Sequence, residues 1–123
     1  MDEHKLGAME MRFAELIWKH APINSGDLVK LCEQELEWKK STTYTMLRRL
    51  CQRGIFENKN SLVTVLLSKQ DFLARQSEYF IDETFSGSLP AFLTAFIRRK
   101  QLSEREIAEL QQLIDESRRK QDE

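Results

Sequence analysis

Glycine, proline and cysteine are scarce in this chain of 123 residues, which contains 4 Gly, 2 Pro and 2 Cys. So few glycines and prolines argue against a turn-rich all-β fold and against glycine-rich loops that cradle phosphates. Cys32 and Cys51 are too few for a dense disulfide framework, and we expect two buried thiols in a reducing compartment.

Long apolar segments are also lacking. No run reaches the roughly 18 apolar residues of a transmembrane helix, so no membrane insertion is expected. Residues 1–5 begin acidic and lack the apolar core of a signal peptide, which predicts a cytoplasmic protein.

Catalytic and metal-binding motifs are missing as well. The sequence has no G-x-S-x-G, H-E-x-x-H, G-x-x-x-x-G-K-[ST] or G-x-G-x-x-G pattern. Its 2 histidines, His4 and His20, have no metal-ligating or nucleophilic partner at a suitable spacing. We therefore expect no enzyme, no metal site and no cofactor.

What the sequence does contain is a series of apolar faces at helical spacing. They predict helices over about 8–20 and 25–36, and a third capped by Ser41 or Thr42 and running to Arg53. A β-hairpin follows, with strands over 55–57 and 62–67 and a turn over 58–61, and then three more helices begin near 68, 88 and 103. This order predicts a mainly α fold, with a winged helix-turn-helix DNA-binding domain (1–68) followed by a helical dimerisation domain (69–123).

Positive charge is concentrated in residues 38–53, which contain Lys39, Lys40, Arg48, Arg49 and Arg53 and no acidic residue, although the formal net charge of the chain is −1. One side of the predicted third helix is apolar, and the other carries hydroxyl and cationic groups that suit base edges and phosphates. We predict base or base-adjacent contacts from Thr42, Tyr44, Thr45 and Arg48. Phosphate contacts are predicted for Lys39, Lys40, Ser41 and Arg49, and for Lys59 and Asn60 at the hairpin tip. A solvated basic helix face and a plain turn are the alternative interpretations.

The last three predicted helices carry more apolar surface than they can cover alone. A second copy of the chain is the simplest cover, and it would place two DNA-binding domains side by side. A core formed within the chain is the alternative interpretation. The residues predicted to form this dimer interface are Phe80, Phe85, Leu89, Phe92, Leu93, Phe96, Ile97, Ile107, Leu110 and Ile114.

Several segments together resemble the penicillinase-repressor family, of the BlaI, MecI and CopY types, along nearly all of the chain. Residues 10–18 are similar to the family's first helix, and residues 38–50 resemble its recognition segment, a Trp followed by a Thr-rich helix ending in Arg-Leu. Gly54 precedes the wing, and residues 80–96 and 102–110 are similar to the family's hinge and closing helix.

The resemblance implies a homodimeric repressor that binds dyad operators, often with TACA and TGTA half-sites. In the β-lactam branch, a sensor-protease pathway leads to cleavage of an Asn-Phe bond, and the matching pair here is Ala95-Phe96. The C-terminal Cys-x-Cys of the copper branch is absent from residues 118–123. We therefore predict a repressor of a β-lactam-type resistance operon, with operator DNA, a second copy and a sensor-protease pathway as partners. The alternative is a winged-helix adaptor that binds only proteins.

Overall fold

The computed structural model describes residues 5–122. Residues 1–4, which include His4, and Glu123 lie outside the described part, and so does most of the segment for which no signal peptide is predicted. Six helices and three short strands form within residues 5–122. The helices are α1 (Ala8–His20), α2 (Ser25–Leu36), α3 (Lys40–Gln52), α4 (Lys69–Phe85), α5 (Leu89–Arg99) and α6 (Glu104–Gln121), and the strands are β1 (Ile23–Asn24), β2 (Phe56–Lys59) and β3 (Leu62–Val65). The predicted mainly α fold with a winged-helix order of elements is confirmed.

The strands form one antiparallel sheet in the order β1-β3-β2. β2 and β3 are joined by Asn60 and Ser61, which have φ values of 52° and 64°. Two successive residues with positive φ are typical of a type I′ turn, whose twist matches that of the flanking strands. The turn is therefore shorter than predicted, because Asn58 and Lys59 belong to β2.

The hydrophobic core lies in the winged-helix part of the chain. It is formed by one face of each of the first three helices, the hairpin and the start of α4. Its buried apolar residues are Phe13, Ala14, Ile17, Leu28, Cys32, Leu36, Leu47, Leu50, Ile55, Phe56, Val63 and Phe72. Each buried Leu, Ile, Val or Phe side chain contributes about 1.5–3 kcal/mol relative to exposure.

Trp18 links three elements at the edge of this core. Its Nε1 donates a hydrogen bond to the Leu67 carbonyl oxygen at 3.0 Å. Its ring centroid lies 5.5 Å from that of Phe56 and 5.8 Å from that of Phe72. One indole thus fixes the positions of the hairpin and of α4 relative to α1.

The beginning of α3 differs from the prediction. The helix starts at Lys40 with Lys39 as its N-cap, and no side chain caps it, so the predicted Ser41 or Thr42 cap is wrong. Trp38 precedes the N-cap, and its ring centroid lies 5.2 Å from that of Phe13. This contact anchors the chain just before the helix and accounts for the early start. At the other end, Gly54 with φ 78° turns the chain out of α3 toward β2, as predicted.

The chain divides into two compact units, one ending at Phe80 and the other beginning at Ile81. The division falls inside α4, whereas the boundary predicted from the sequence lies before it, between residues 68 and 69. That functional boundary stays a prediction. Within the second unit, the Phe85 and Phe92 ring centroids lie 5.6 Å apart, and Ser103 and Glu106 form a capping box at the start of α6.

Candidate nucleic-acid interface

The predicted DNA-contacting side chains lie on the outer face of α3 and on the hairpin. Nine of the ten are exposed: Lys39, Lys40, Ser41, Thr42, Thr45, Arg48, Arg49, Lys59 and Asn60. The opposite face of α3 buries Thr43, Leu47 and Leu50 against the core. The helical period of the sequence therefore separates the two faces of α3 correctly.

The cationic side chains of this surface form no ion pair with the residues that the structure describes. In the part of the chain that the structure describes, the ion pairs are Arg53–Glu10, Lys69–Glu15 and Arg105–Glu109. None of them involves Lys39, Lys40, Arg48, Arg49 or Lys59, and α3 itself contains no acidic residue. Unneutralised cations on an exposed helix face create a positive potential that attracts phosphates.

Arg53 does not belong to this surface, although it lies in the same basic stretch of sequence. Its guanidinium donates to the Lys5 carbonyl oxygen at 2.7 Å and lies 3.9 Å from the Glu10 carboxylate. The charge of Arg53 is therefore used to join the end of α3 to the start of α1.

Tyr44 has a different environment from its neighbours on α3. Its ring is half-buried and packs against the core, and its hydroxyl donates to the Ser25 hydroxyl oxygen at 3.2 Å. The helical period assigns Tyr44 to the polar side, but it does not show where a long side chain points. Ser25, which receives the bond, carried no recognisable signal in the sequence beyond its position at a helix start.

A groove of about 250 Å³ separates α3 from β2, and Tyr44, Leu47, Arg48, Cys51 and Asn58 line it. The Cys51 thiol is half-buried here, so only one of the two predicted thiols, Cys32, is fully buried. Burial raises the pKa of the Cys51 thiol. A hydrogen bond with the Asn58 backbone offsets part of this increase, and the Glu57 charge raises the pKa by a smaller amount. The groove therefore presents a neutral thiol beside a guanidinium.

The described residues contain neither a candidate metal site nor a helix that could span a membrane. Across residues 5–122, His, Cys, Asp and Glu side chains do not gather in groups of three that could hold a metal ion. The helices of the same residues are too short or too polar to cross a bilayer.

A second surface is apolar and lies on α5 and α6. In these two helices the described residues include no buried side chain. Several predicted interface residues are exposed by two fifths or more of their area: Phe80, Leu89, Phe96, Ile97, Ile107 and Ile114. The remaining ones, Phe85, Phe92, Leu93 and Leu110, are half-buried. Ala95 and Phe96 lie together near the end of α5, and both are exposed.

Comparison with known proteins gives consistent matches along the chain. A family profile described as Penicillinase repressor matches residues 6–116. The penicillinase repressor of Bacillus licheniformis is 29% identical over 118 residues, which cover 93% of this chain and 92% of that protein. The methicillin resistance regulatory protein MecI of Staphylococcus aureus is 22% identical over 116 residues, covering 91% of this chain and 94% of that protein.

Proposed function

Because the chain belongs to the penicillinase repressor family, it is a transcriptional regulator rather than an enzyme, and we propose that it represses β-lactam resistance genes as an operator-bound homodimer. In this proposal α3 enters the major groove, which is about 12 Å wide and admits a helix. Since an operator-binding protein acts on chromosomal DNA, we place the dimer in the cytoplasm.

The observation that carries the proposal is the exposed cationic face of α3, whose cations form no ion pair within residues 5–122. Lys39, Lys40 and Arg49 suit phosphates, and Arg48 can reach a guanine edge with two hydrogen bonds. Thr42 and Thr45 supply hydroxyl and methyl groups between these cations. Ser41 at the helix start, with Lys59 and Asn60 on the hairpin, extends the phosphate contacts.

The apolar face of α5 and α6 supports the homodimer. Leu89 is 53% exposed and Phe96 42% on one face of α5, and Ile107 is 47% exposed and Ile114 51% on one face of α6, so large apolar side chains repeat along an exposed face of each helix. A second copy covers them by the same residues on both chains, as a two-fold interface requires. Two winged domains on one dyad operator then add their contacts.

Release by a sensor-protease pathway would act at Ala95-Phe96. Both residues are exposed, and Phe96 belongs to the apolar face of α5. Cleavage there would remove Phe96 and the whole of α6 from the dimer surface while sparing the DNA-contacting residues.

Fluorescence anisotropy tests the proposal directly. The purified chain is titrated against a dyad duplex with TACA and TGTA half-sites, against a scrambled duplex of equal length, and at two salt concentrations. We expect tight binding to the dyad, weaker binding to the scrambled duplex, and a steep fall in affinity with salt, since each phosphate contact releases about one counterion.

Two other outcomes separate the alternatives. Weak binding to both duplexes calls for selection from random duplexes, which identifies a different operator if DNA is the partner. Salt-insensitive binding, or no selected sequence, supports the protein-binding adaptor instead.

A further inference from the structure

Ser25, the first residue of α2, is hydrogen-bonded to both elements that carry the predicted DNA contacts. Its backbone N–H donates to the Ser61 carbonyl oxygen in the hairpin turn at 2.7 Å. Its hydroxyl oxygen accepts a hydrogen bond from Tyr44 on α3 at 3.2 Å. Ser25 is 5% exposed, so water competes little for either bond.

The neighbouring residues hold the same corner of the hairpin. Asn24 pairs with Leu62 between β1 and β3, and its side chain accepts from the Gly26 N–H at 2.8 Å. The start of α2 is thus fixed to the hairpin through the backbone, while its link to α3 at this corner runs through two hydroxyl groups.

From this arrangement we propose that Ser25 and Tyr44 are positioning residues that hold the hairpin in register with α3. The inference rests on the operator binding proposed above and extends it. Lys59 on the hairpin and the cations of α3 must meet phosphates of one duplex at the same time. Fixing their separation before binding reduces the conformational freedom lost in the complex.

The proposal gives Tyr44 a role different from base contact. Its ring packs against the core and its hydroxyl is engaged, whereas Ser41, Thr45 and Arg48 on the same helix are exposed. A base contact in which the Tyr44 hydroxyl donates would have to break its bond to Ser25 and leave the nearly buried Ser25 hydroxyl without that partner.

The test compares Tyr44→Phe, Ser25→Ala and the double variant on the duplex that the wild-type chain prefers. Each single variant removes one hydroxyl and leaves the backbone bond to Ser61 intact. We expect each to weaken binding by about three- to tenfold, the usual net effect of one hydrogen bond. The double variant should bind no more weakly than the singles, because both remove the same interaction.

The salt dependence distinguishes positioning from a purely structural role. In Ser25→Ala the negative slope of log K against log salt should become shallower by about 0.9, because one phosphate contact on the hairpin is lost. Lys59→Gln should then have no further effect in that background. A variant that is only less stable, but folded at the assay temperature, would keep the wild-type slope.

Ser77→Ala is the matched control, since the Ser77 hydroxyl bonds only the Leu73 carbonyl of its own helix at 2.9 Å. Additive losses in the double variant, or a changed base preference in Tyr44→Phe alone, would overturn the inference and assign base reading to Tyr44. If the wild-type chain binds selectively and the variants match it, this inference fails while the proposed function stands. If the wild-type chain selects no duplex, both fail.

Discussion

At the scale of single residues, side chains of the same type make different contacts because their surroundings differ. Arg48, Arg49 and Arg53 lie within six positions, yet Arg53 bonds the start of α1, while the other two are exposed and form no ion pair within residues 5–122. Position on the helix and the nearest acceptor therefore decide which arginine is available for the proposed DNA contacts.

Arg48→Ala should remove the preference for the operator over a scrambled duplex while the dimer persists. A bidentate arginine–guanine contact is worth about 1–3 kcal/mol of discrimination, so the preference should fall roughly 5- to 150-fold. Competition titrations measure it, with Arg75→Ala on α4 as the control for loss of an exposed arginine. An unchanged base preference would contradict the role assigned to Arg48.

Cys32 predicts a pH dependence of stability. Burial raises the pKa of its thiol above the ordinary 9.0, and a hydrogen bond with Thr43 offsets part of that effect. The folded state thus favours the protonated thiol, so its contribution is complete below pH 9.0 and is lost as pH rises through the raised pKa.

Urea unfolding at a series of pH values tests this. As pH rises above 9.0, the free energy of unfolding of the wild-type chain should fall by up to about 1.4 kcal/mol per pH unit more than that of Cys32→Ala. Parallel curves for the two proteins would show that the Cys32 thiol does not contribute.

At the scale of elements, short-range rules explain the hairpin turn. A Cβ crowds the backbone at positive φ in both residues, but Asn offsets this cost better than Ser through local hydrogen bonds of its amide side chain. Ser61, with φ 64°, is therefore the strained position of the pair.

Ser61→Gly should stabilise the protein by about 0.5–1 kcal/mol, because glycine adopts positive φ without steric cost. The hydrogen bond from Ser25 to the Ser61 carbonyl is a backbone bond and remains. Ser77→Gly in the interior of α4 should have the opposite effect, about 0.5 kcal/mol destabilising. Denaturant midpoints compare the two, and a destabilised Ser61→Gly protein would argue against strain at this turn.

The elements also show what sequence reasoning can and cannot predict. Helical period located the buried face of α3, with Thr43 and Leu47, because burial follows the 3.6-residue repeat. β1 was missed, since the two residues Ile23 and Asn24 are too few to show an alternating pattern. The bond between Tyr44 and Ser25 joins residues 19 positions apart, so only the packing of α2 against α3 reveals it.

At the scale of the whole molecule, the cationic face of α3 and the apolar faces of α5 and α6 lie in different units of the chain. The exposed cations of α3 and the hairpin belong to the unit that ends at Phe80, and the exposed apolar faces of α5 and α6 to the other. A net charge of −1 therefore conceals a local positive face suited to DNA.

Phe96→Glu should disrupt the dimer, because each copy would bury an unpaired carboxylate in the interface. The dimer should be destabilised by about 3 kcal/mol or more, and operator affinity should fall with it. Ala91→Glu, on the opposite side of α5, adds the same charge and should leave the dimer intact. Sedimentation equilibrium measures the masses, and a Phe96→Glu chain that stays at twice the monomer mass would contradict this interface.

The position of Trp38 makes its fluorescence a reporter for the surface that follows it in the chain. It is half-buried against Phe13 and immediately precedes Lys39 and Lys40, where the proposed DNA-contacting surface begins. Trp18, the other of the 2 tryptophans, is enclosed by Phe56 and Phe72 instead. A Trp18→Phe chain, excited at wavelengths that tyrosine does not absorb, would therefore emit from Trp38 alone, and its spectrum would follow operator occupancy without an attached dye.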